Sequence, residues 1–142
     1  MTVIRMDNVG VVVRAAATYF ALVFGAGFLL GLVRIPILVP RLGERTAELL
    51  EMPVMLVIIF FASRHVVRRY ALAASPRRAL AVGTLALALL ILAELLLAVA
   101  MTGGSVTEYI DRKDPVSGTV YAASLLLFAA MPWLQACRMD AV

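Results

Sequence analysis

The sequence predicts an all-α fold, an integral membrane bundle of four transmembrane helices. Of its 142 residues, 63% are hydrophobic and only 15% are charged, which leaves too little polar surface to cover a soluble core. The apolar residues also come in blocks of about 18 or more, the length needed to cross a hydrocarbon layer about 30 Å thick. No segment alternates polar and apolar residues at period two, so a transmembrane barrel is excluded.

The apolar blocks define a single four-helix transmembrane domain over residues 1–142. Because lipid offers the backbone no hydrogen bonds, each block is expected to form a helix. The expected spans cover about residues 11–33, 46–63, 79–101 and 117–136.

Proline and glycine mark the expected helix ends. The first helix should end at Pro36, Pro40 and Gly43, which together turn the chain. Proline suits the first turn of a helix and glycine its end. The remaining boundaries are a start of the third helix at Ser75-Pro76, its close at Gly103-Gly104, and a start of the fourth at Asp114-Pro115.

The basic residues are distributed unequally between the two sides of the predicted bundle. Eight fall on the side of the second connection, and five, diluted by acidic residues, fall on the other. By the positive-inside rule, the N and C termini are therefore expected in the cytoplasm. The eight are Arg5, Arg14, Arg64, Arg68, Arg69, Arg77, Arg78 and Arg138, and the five are Arg34, Arg41, Arg45, Arg112 and Lys113.

Composition also bears on location and partners. The net charge of +4 is explained by residues that flank the spans, and no nucleic-acid partner is expected, because no basic run is interleaved with aromatic residues. All but one of the 13 basic residues are arginine, and alanine, leucine and valine are abundant, as in GC-rich bacterial genomes. We expect a multi-pass protein of the bacterial inner (cytoplasmic) membrane, with the lipid bilayer as its surroundings. The pattern indicates no metal and no cofactor.

Ionisable side chains inside the spans are the best indicators of function, because each costs roughly 2.5–3.5 kcal/mol at mid-membrane. Counting about 1.5 Å per residue from the cytoplasmic arginines places these groups about 20–30 Å away, in the outer third of the bilayer. The candidate binding residues are Arg34, Glu48, Glu51 and Glu94, together with Tyr121 of the fourth span.

A buried carboxylate needs a partner or a proton. Arg34 is the only basic residue that the spans supply at this level, and its planar guanidinium can hold two carboxylate oxygens. We therefore expect either an Arg34–Glu51 pair or an Arg34–Glu94 pair. Such a cluster serves either as a structural clamp or as a ligand-binding site.

Two local features bear on packing. Gly27 and Gly31 form a small-xxx-small pattern that lets another helix approach closely. Pro53 kinks the second helix beside Glu51 if that helix begins near Glu44. If the helix begins near Met52 instead, the proline only occupies its first turn.

The run Gly27–Arg34, followed by Pro40, Gly43, Glu48, Glu51, Pro53 and Met55, resembles a pattern in a family of small four-helix bacterial inner-membrane proteins. The segment Asp114–Gly118 at the entry to the last helix fits the same pattern. The resemblance covers nearly the whole chain. It implies the four-helix membrane fold and carries no known activity with it.

The second helix also resembles that of the membrane-associated glutathione and eicosanoid family, whose members are four-helix proteins of this size. That helix carries an arginine, an asparagine, a glutamate and a proline, and here Arg45, Glu48, Glu51 and Pro53 stand in that order. Glutamate replaces the asparagine, the proline is one residue closer, and the charge bias places this loop on the opposite face. The resemblance implies a glutathione-type membrane enzyme.

Three functions follow as hypotheses, and the sequence favours a protein without catalytic residues. The first is a membrane protein whose Arg/Glu cluster binds or passes a small polar solute, ion or proton, as a homo-oligomer that associates through Gly27 and Gly31. The second is an accessory or assembly subunit of a larger membrane complex. The third is the glutathione-type enzyme.

Overall fold

Four long helices make up the part of the chain that the structure, a computed structural model, describes. The backbone is described for residues 2–103, 107 and 115–140, and the side chains for residues 9–100, 103, 107, 116 and 118–139. Four segments are long and apolar enough to cross a membrane, which confirms the all-helical class and the four candidate spans. The helices are α1 (Thr2–Val33), the short α2 (Val39–Leu42), α3 (Glu44–Arg69), α4 (Pro76–Thr102) and α5 (Pro115–Asp140).

Each long helix extends beyond the apolar block that predicted it. The second expected span, 46–63, becomes the helix Glu44–Arg69, and the fourth, 117–136, becomes Pro115–Asp140. The additional turns contain arginine, which is a good helix former even where its side chain faces water. Hydropathy therefore marks the apolar middle of each helix and misses its polar ends.

The first span continues past the prolines that were expected to end it. A π-helical turn, Arg34–Leu38, follows α1 directly, and α2 then runs to Leu42. The wider π turn, closed by a hydrogen bond from the Val39 N–H to the Arg34 carbonyl, accommodates Pro36, which has no N–H to donate. The expected helix end at Pro36 and Pro40 was therefore wrong. Gly43, with φ of 83°, ends the helix.

Two other predicted boundaries are confirmed. Ser75 precedes α4 as its N-cap residue, and Pro76 occupies its first turn. Gly103 ends α4 in the left-handed conformation, with φ of 62°. Gly104 and the predicted Asp114 cap lie outside the described residues.

The four long helices pack in a cyclic order around the bundle. Helix α1 packs against α3 and α4, and α5 packs against the same two helices from the other side. The chain therefore crosses the bundle diagonally between α3 and α4. A short 3₁₀ turn, Leu72–Ala74, makes that crossing and packs against α3, α4 and α5.

Most of the buried core lies toward the end of the bundle that carries the exposed arginines. Small side chains let the helices approach there, while Phe128 and Leu90 fill the space between them. In α3, the half before Pro53 buries only Ala47 and Met52. The end of the bundle that holds the candidate site is therefore packed less completely. The core residues include Ala15, Ala16, Tyr19, Val23, Ile59, Ala62, Val66, Val67, Ala79, Val82, Ala86 and Ala136.

Tyr19 ties α1 to α5 across the middle of the bundle. Its ring stacks on Phe128 with a centroid separation of 4.4 Å. Its hydroxyl donates a 2.6 Å hydrogen bond to the backbone carbonyl of Phe128. A buried phenol needs such a partner, so the contact fixes both the depth and the rotation of α1.

The backbones of α4 and α5 approach each other closely at Gly83. A Cβ atom there would overlap the carbonyl oxygen of Ala129 in α5. The Gly27 and Gly31 positions are roomier: a Cβ at Gly27 would meet the Met55 side chain at 3.5 Å, and a Cβ at Gly31 would meet nothing within 4 Å. Packing of a second copy on the Gly27 and Gly31 face remains a prediction.

This difference gives a matched pair of variants. We expect Gly83→Ala to lower the free energy of unfolding by about 2–3 kcal/mol, because the new methyl group forces α4 and α5 apart. Gly31→Ala should leave it unchanged or raise it by up to about 1 kcal/mol through helix propensity. Equilibrium unfolding of the purified chain in mixed micelles measures both. Equal stabilities for the two variants would contradict the assigned α4–α5 contact.

Candidate functional site

Arg34 and Glu51 form an ion pair between α3 and the π turn that follows α1. The Arg34 Nη1 atom donates to Glu51 Oε2 at 2.9 Å, and the side chains are 25% and 11% exposed, respectively. Of the two pairings that the sequence left open, this is the one that the structure contains. The contact uses one nitrogen and one oxygen, whereas the two groups are able to form two parallel hydrogen bonds.

Both partners of the pair lie at irregular points of their helices. The Arg34 carbonyl accepts the π-type hydrogen bond from Val39. Pro53 lies inside α3, which begins at Glu44, so the turn that contains Glu51 lacks the N–H that would bond to the Leu49 carbonyl. The alternative in which Pro53 occupies a first helical turn is therefore excluded. Single π turns within helices are frequently found at functional sites.

Glu48 brings a second carboxyl group to the same face of α3. It lies one turn before Glu51 and is partly buried, whereas Glu44 at the start of the helix is exposed. The guanidinium of Arg34 therefore faces a helix that presents two acidic side chains. Such a surface favours a positively charged or proton-donating ligand.

Glu94 and Tyr121 form a second polar pair, between α4 and α5. The Tyr121 hydroxyl donates a hydrogen bond to Glu94 Oε2, and both residues are partly buried. Each also takes part in a further interaction. The predicted site residues are thus brought together as two pairs, Arg34 with Glu51 and Tyr121 with Glu94.

Met52 and Ser124 connect α3 to α5 at this end of the bundle. The Ser124 hydroxyl contacts the Met52 sulfur at 3.5 Å and also donates to the Val120 carbonyl at 3.0 Å. Ser124 lies one turn after Tyr121 on α5, and Met52 follows Glu51 on α3. The two residues of this contact therefore each lie within one helical turn of a member of a polar pair.

Sequence reasoning missed the interhelical contacts made by Tyr19 and Met52. Tyr19 carried a usable signal, because a phenol in the middle of an apolar span must find a hydrogen-bond partner. Met52 carried none, since methionine fits many packing environments. Among the described residues, no group of three or more His, Cys, Asp or Glu side chains is placed to hold a metal ion.

Arg45, Glu48, Glu51 and Pro53, which carry the resemblance to the glutathione and eicosanoid family, all lie on α3. Arg45 is exposed near the start of that helix. No protein-family model, curated protein or solved structure matches the chain.

The Arg34–Glu51 contact predicts a coupled pair of mutations. We expect Arg34→Gln and Glu51→Gln each to lower the free energy of unfolding by about 3 kcal/mol, because each leaves a charge unpaired in an apolar setting. The double variant should lose less free energy of unfolding than the two single variants lose together. Arg41→Gln, at an exposed position, serves as the control and should be nearly neutral. Additive losses in equilibrium unfolding would contradict direct pairing.

Tyr121 and Tyr70 provide a comparison between two hydroxyl groups. Tyr121→Phe should lower the free energy of unfolding by about 2 kcal/mol, since it removes a hydrogen bond to a carboxyl group. Tyr70→Phe should lower the free energy of unfolding by about 1 kcal/mol, since among the described residues the Tyr70 hydroxyl meets the neutral Thr18 hydroxyl, at 2.9 Å. In a Glu94→Gln background, the cost of Tyr121→Phe should fall. An unchanged cost in that background would show that the Tyr121 hydroxyl acts elsewhere.

Proposed function

We propose that this chain is a multi-pass protein of the bacterial inner membrane, with both termini in the cytoplasm, that binds or passes a small polar solute, ion or proton. The site is the Arg34–Glu51 pair with Glu48, in the outer leaflet. Four helices of sufficient length and apolar character support insertion. The exposed arginines on the α3–α4 side support the orientation, since basic residues favour the cytoplasmic face.

The single contact between Arg34 and Glu51 carries the proposal. A structural clamp gains most from two parallel hydrogen bonds between guanidinium and carboxylate. Here one N–H of Arg34 is directed to one oxygen of Glu51. The other guanidinium donors and Glu51 Oε1 retain capacity for a polar ligand, and Glu48 adds a further carboxyl group one turn away.

The surrounding packing supports access to this pair. Arg34 retains a quarter of its side-chain surface, and Pro36, Pro53 and Leu50 beside the pair are exposed. The tight core lies toward the opposite end of the bundle. In this proposal a ligand enters from the outer side and reaches the pair without opening that core.

A flux measurement tests the proposal directly. The full chain in lipid vesicles should carry protons, Na⁺ or K⁺ faster than protein-free vesicles under an imposed membrane potential. Glu51→Gln should reduce that flux at least about tenfold, because it removes the charge that a cation or proton needs at the site. The matched control is Glu44→Gln, an exposed carboxyl group on the same helix, which should retain the flux.

The same vesicles report orientation and binding. Cys137 is exposed near the C terminus and is the only cysteine, so an impermeant maleimide identifies the side on which that terminus lies. A ligand that binds without crossing should raise the melting temperature of the wild type and leave Glu51→Gln unchanged. If the vesicles show no flux and the melting temperature shows no ion-dependent shift, the proposal is contradicted.

A second candidate, an accessory subunit of a larger membrane complex, is favoured by the exposure of the first span. That span covers Val9–Leu42, and only 6% of its most apolar window is buried inside the chain. A partner helix on this face would lie close to Arg34. A purified homo-oligomer that retains flux favours the transport function, whereas a monomer that shows neither flux nor ion binding favours the accessory one.

A further inference from the structure

The end of the bundle opposite the Arg34–Glu51 pair presents an unpaired basic surface. The arginines on it are exposed, and among the described residues none of them lies within ion-pair distance of a carboxylate. A surface of this kind attracts phosphate groups. Its members are Arg14, Arg64, Arg68, Arg69, Arg77, Arg78 and Arg138.

A groove on the outer face of α4 begins at this surface. It is a shallow and largely open depression of about 540 Å³ along one face of a single helix, and Arg77 lies at one end of it. The remainder of its lining is almost entirely apolar. Its residues are Arg77, Leu80, Ala81, Thr84, Leu85 and Ala88.

The one hydroxyl group in the groove is already satisfied. Thr84 Oγ1 donates to the Leu80 carbonyl at 2.9 Å, so its hydroxyl proton needs no acceptor on a bound molecule. The occupant therefore meets a charged group at one end of the groove and apolar surface along the rest. That division is the chemistry of a phospholipid.

The length of the groove agrees with one leaflet of a bilayer. Arg77 and Ala88 are eleven residues apart on a continuous helix, which corresponds to about 16 Å along the axis. Half of a hydrocarbon core about 30 Å thick is about 15 Å. A lipid whose phosphate meets Arg77 would therefore lay one acyl chain along the whole groove.

We propose that Arg77 and the α4 groove bind an anionic phospholipid of the cytoplasmic leaflet. Its phosphate pairs with the Arg77 guanidinium, the neighbouring Arg78 adds positive potential, and one acyl chain lies along Leu80–Ala88. Anionic headgroups are favoured over zwitterionic ones because the whole surface is basic. This inference rests on the proposed insertion in the membrane and is independent of transport at Arg34.

Native mass spectrometry of the full chain tests the assignment. The chain is supplied with equal amounts of phosphatidylglycerol and phosphatidylcholine, and the ratio of retained lipids is measured. The wild type should prefer phosphatidylglycerol, and Arg77→Gln should reduce that preference about fivefold, as one basic residue near a membrane surface contributes. Arg41→Gln removes the same charge at the other end of the bundle and should leave the ratio unchanged.

Two further arms separate the headgroup from the acyl chain. Ala88→Leu fills the apolar end of the groove and should lower retention of both lipids. Glycerol phosphate, which has no acyl chain, should not displace bound phosphatidylglycerol. Equal effects of Arg77→Gln and Arg41→Gln, or displacement by glycerol phosphate, would overturn the inference.

The failure of this inference is distinguishable from the failure of insertion itself. A chain that alkaline carbonate extracts from membranes would refute the proposed membrane location. A chain that resists extraction and retains both lipids equally would refute only the lipid site.

Discussion

The bundle depends on polar side chains that find partners inside an apolar structure. Three of these contacts join different helices: Arg34 meets Glu51, Tyr121 meets Glu94, and Tyr19 meets the Phe128 carbonyl. Gln135 of α5 likewise donates to the Phe60 carbonyl of α3 at 2.8 Å. Apolar contacts alone allow helices to rotate and slide at little cost, whereas an unpaired polar group is expensive. These contacts therefore select one arrangement of the four helices.

The two ends of the bundle meet this constraint differently. Toward the basic end, small residues such as Ala79 and Gly83 bring the backbones together, and the polar contacts there involve neutral groups. At the other end two of the polar contacts involve ionisable groups, the packing is looser, and Arg34 keeps part of its surface. The half of the bundle near the basic surface is thus more completely packed than the half that contains the Arg34–Glu51 pair.

The sequence predicted the number of helices because each apolar block is long enough to need its own helix, and two boundaries followed from Pro76 and Gly103. It did not predict the π turn at Arg34–Leu38, because proline usually ends a helix and its accommodation depends on the following turn. The choice between Glu51 and Glu94 as the partner of Arg34 also stayed open. Counting residues gives the depth of a side chain in the membrane but not the rotation of its helix about the helix axis. Helix α1 packs against both helices that carry these glutamates. The close approach at Gly83 was missed for the same reason.

The irregular backbone at the Arg34–Glu51 pair has a consequence for how the site works. A regular helix holds its side chains through a continuous ladder of hydrogen bonds, so moving one residue disturbs its neighbours. At Pro53 one such bond is missing, and at Arg34 the ladder shifts from α to π spacing. Small rotations at these two points cost less than they would elsewhere in α1 or α3. The ion pair therefore lies at the least regular points of the first span and α3, at a distance from the core around Tyr19.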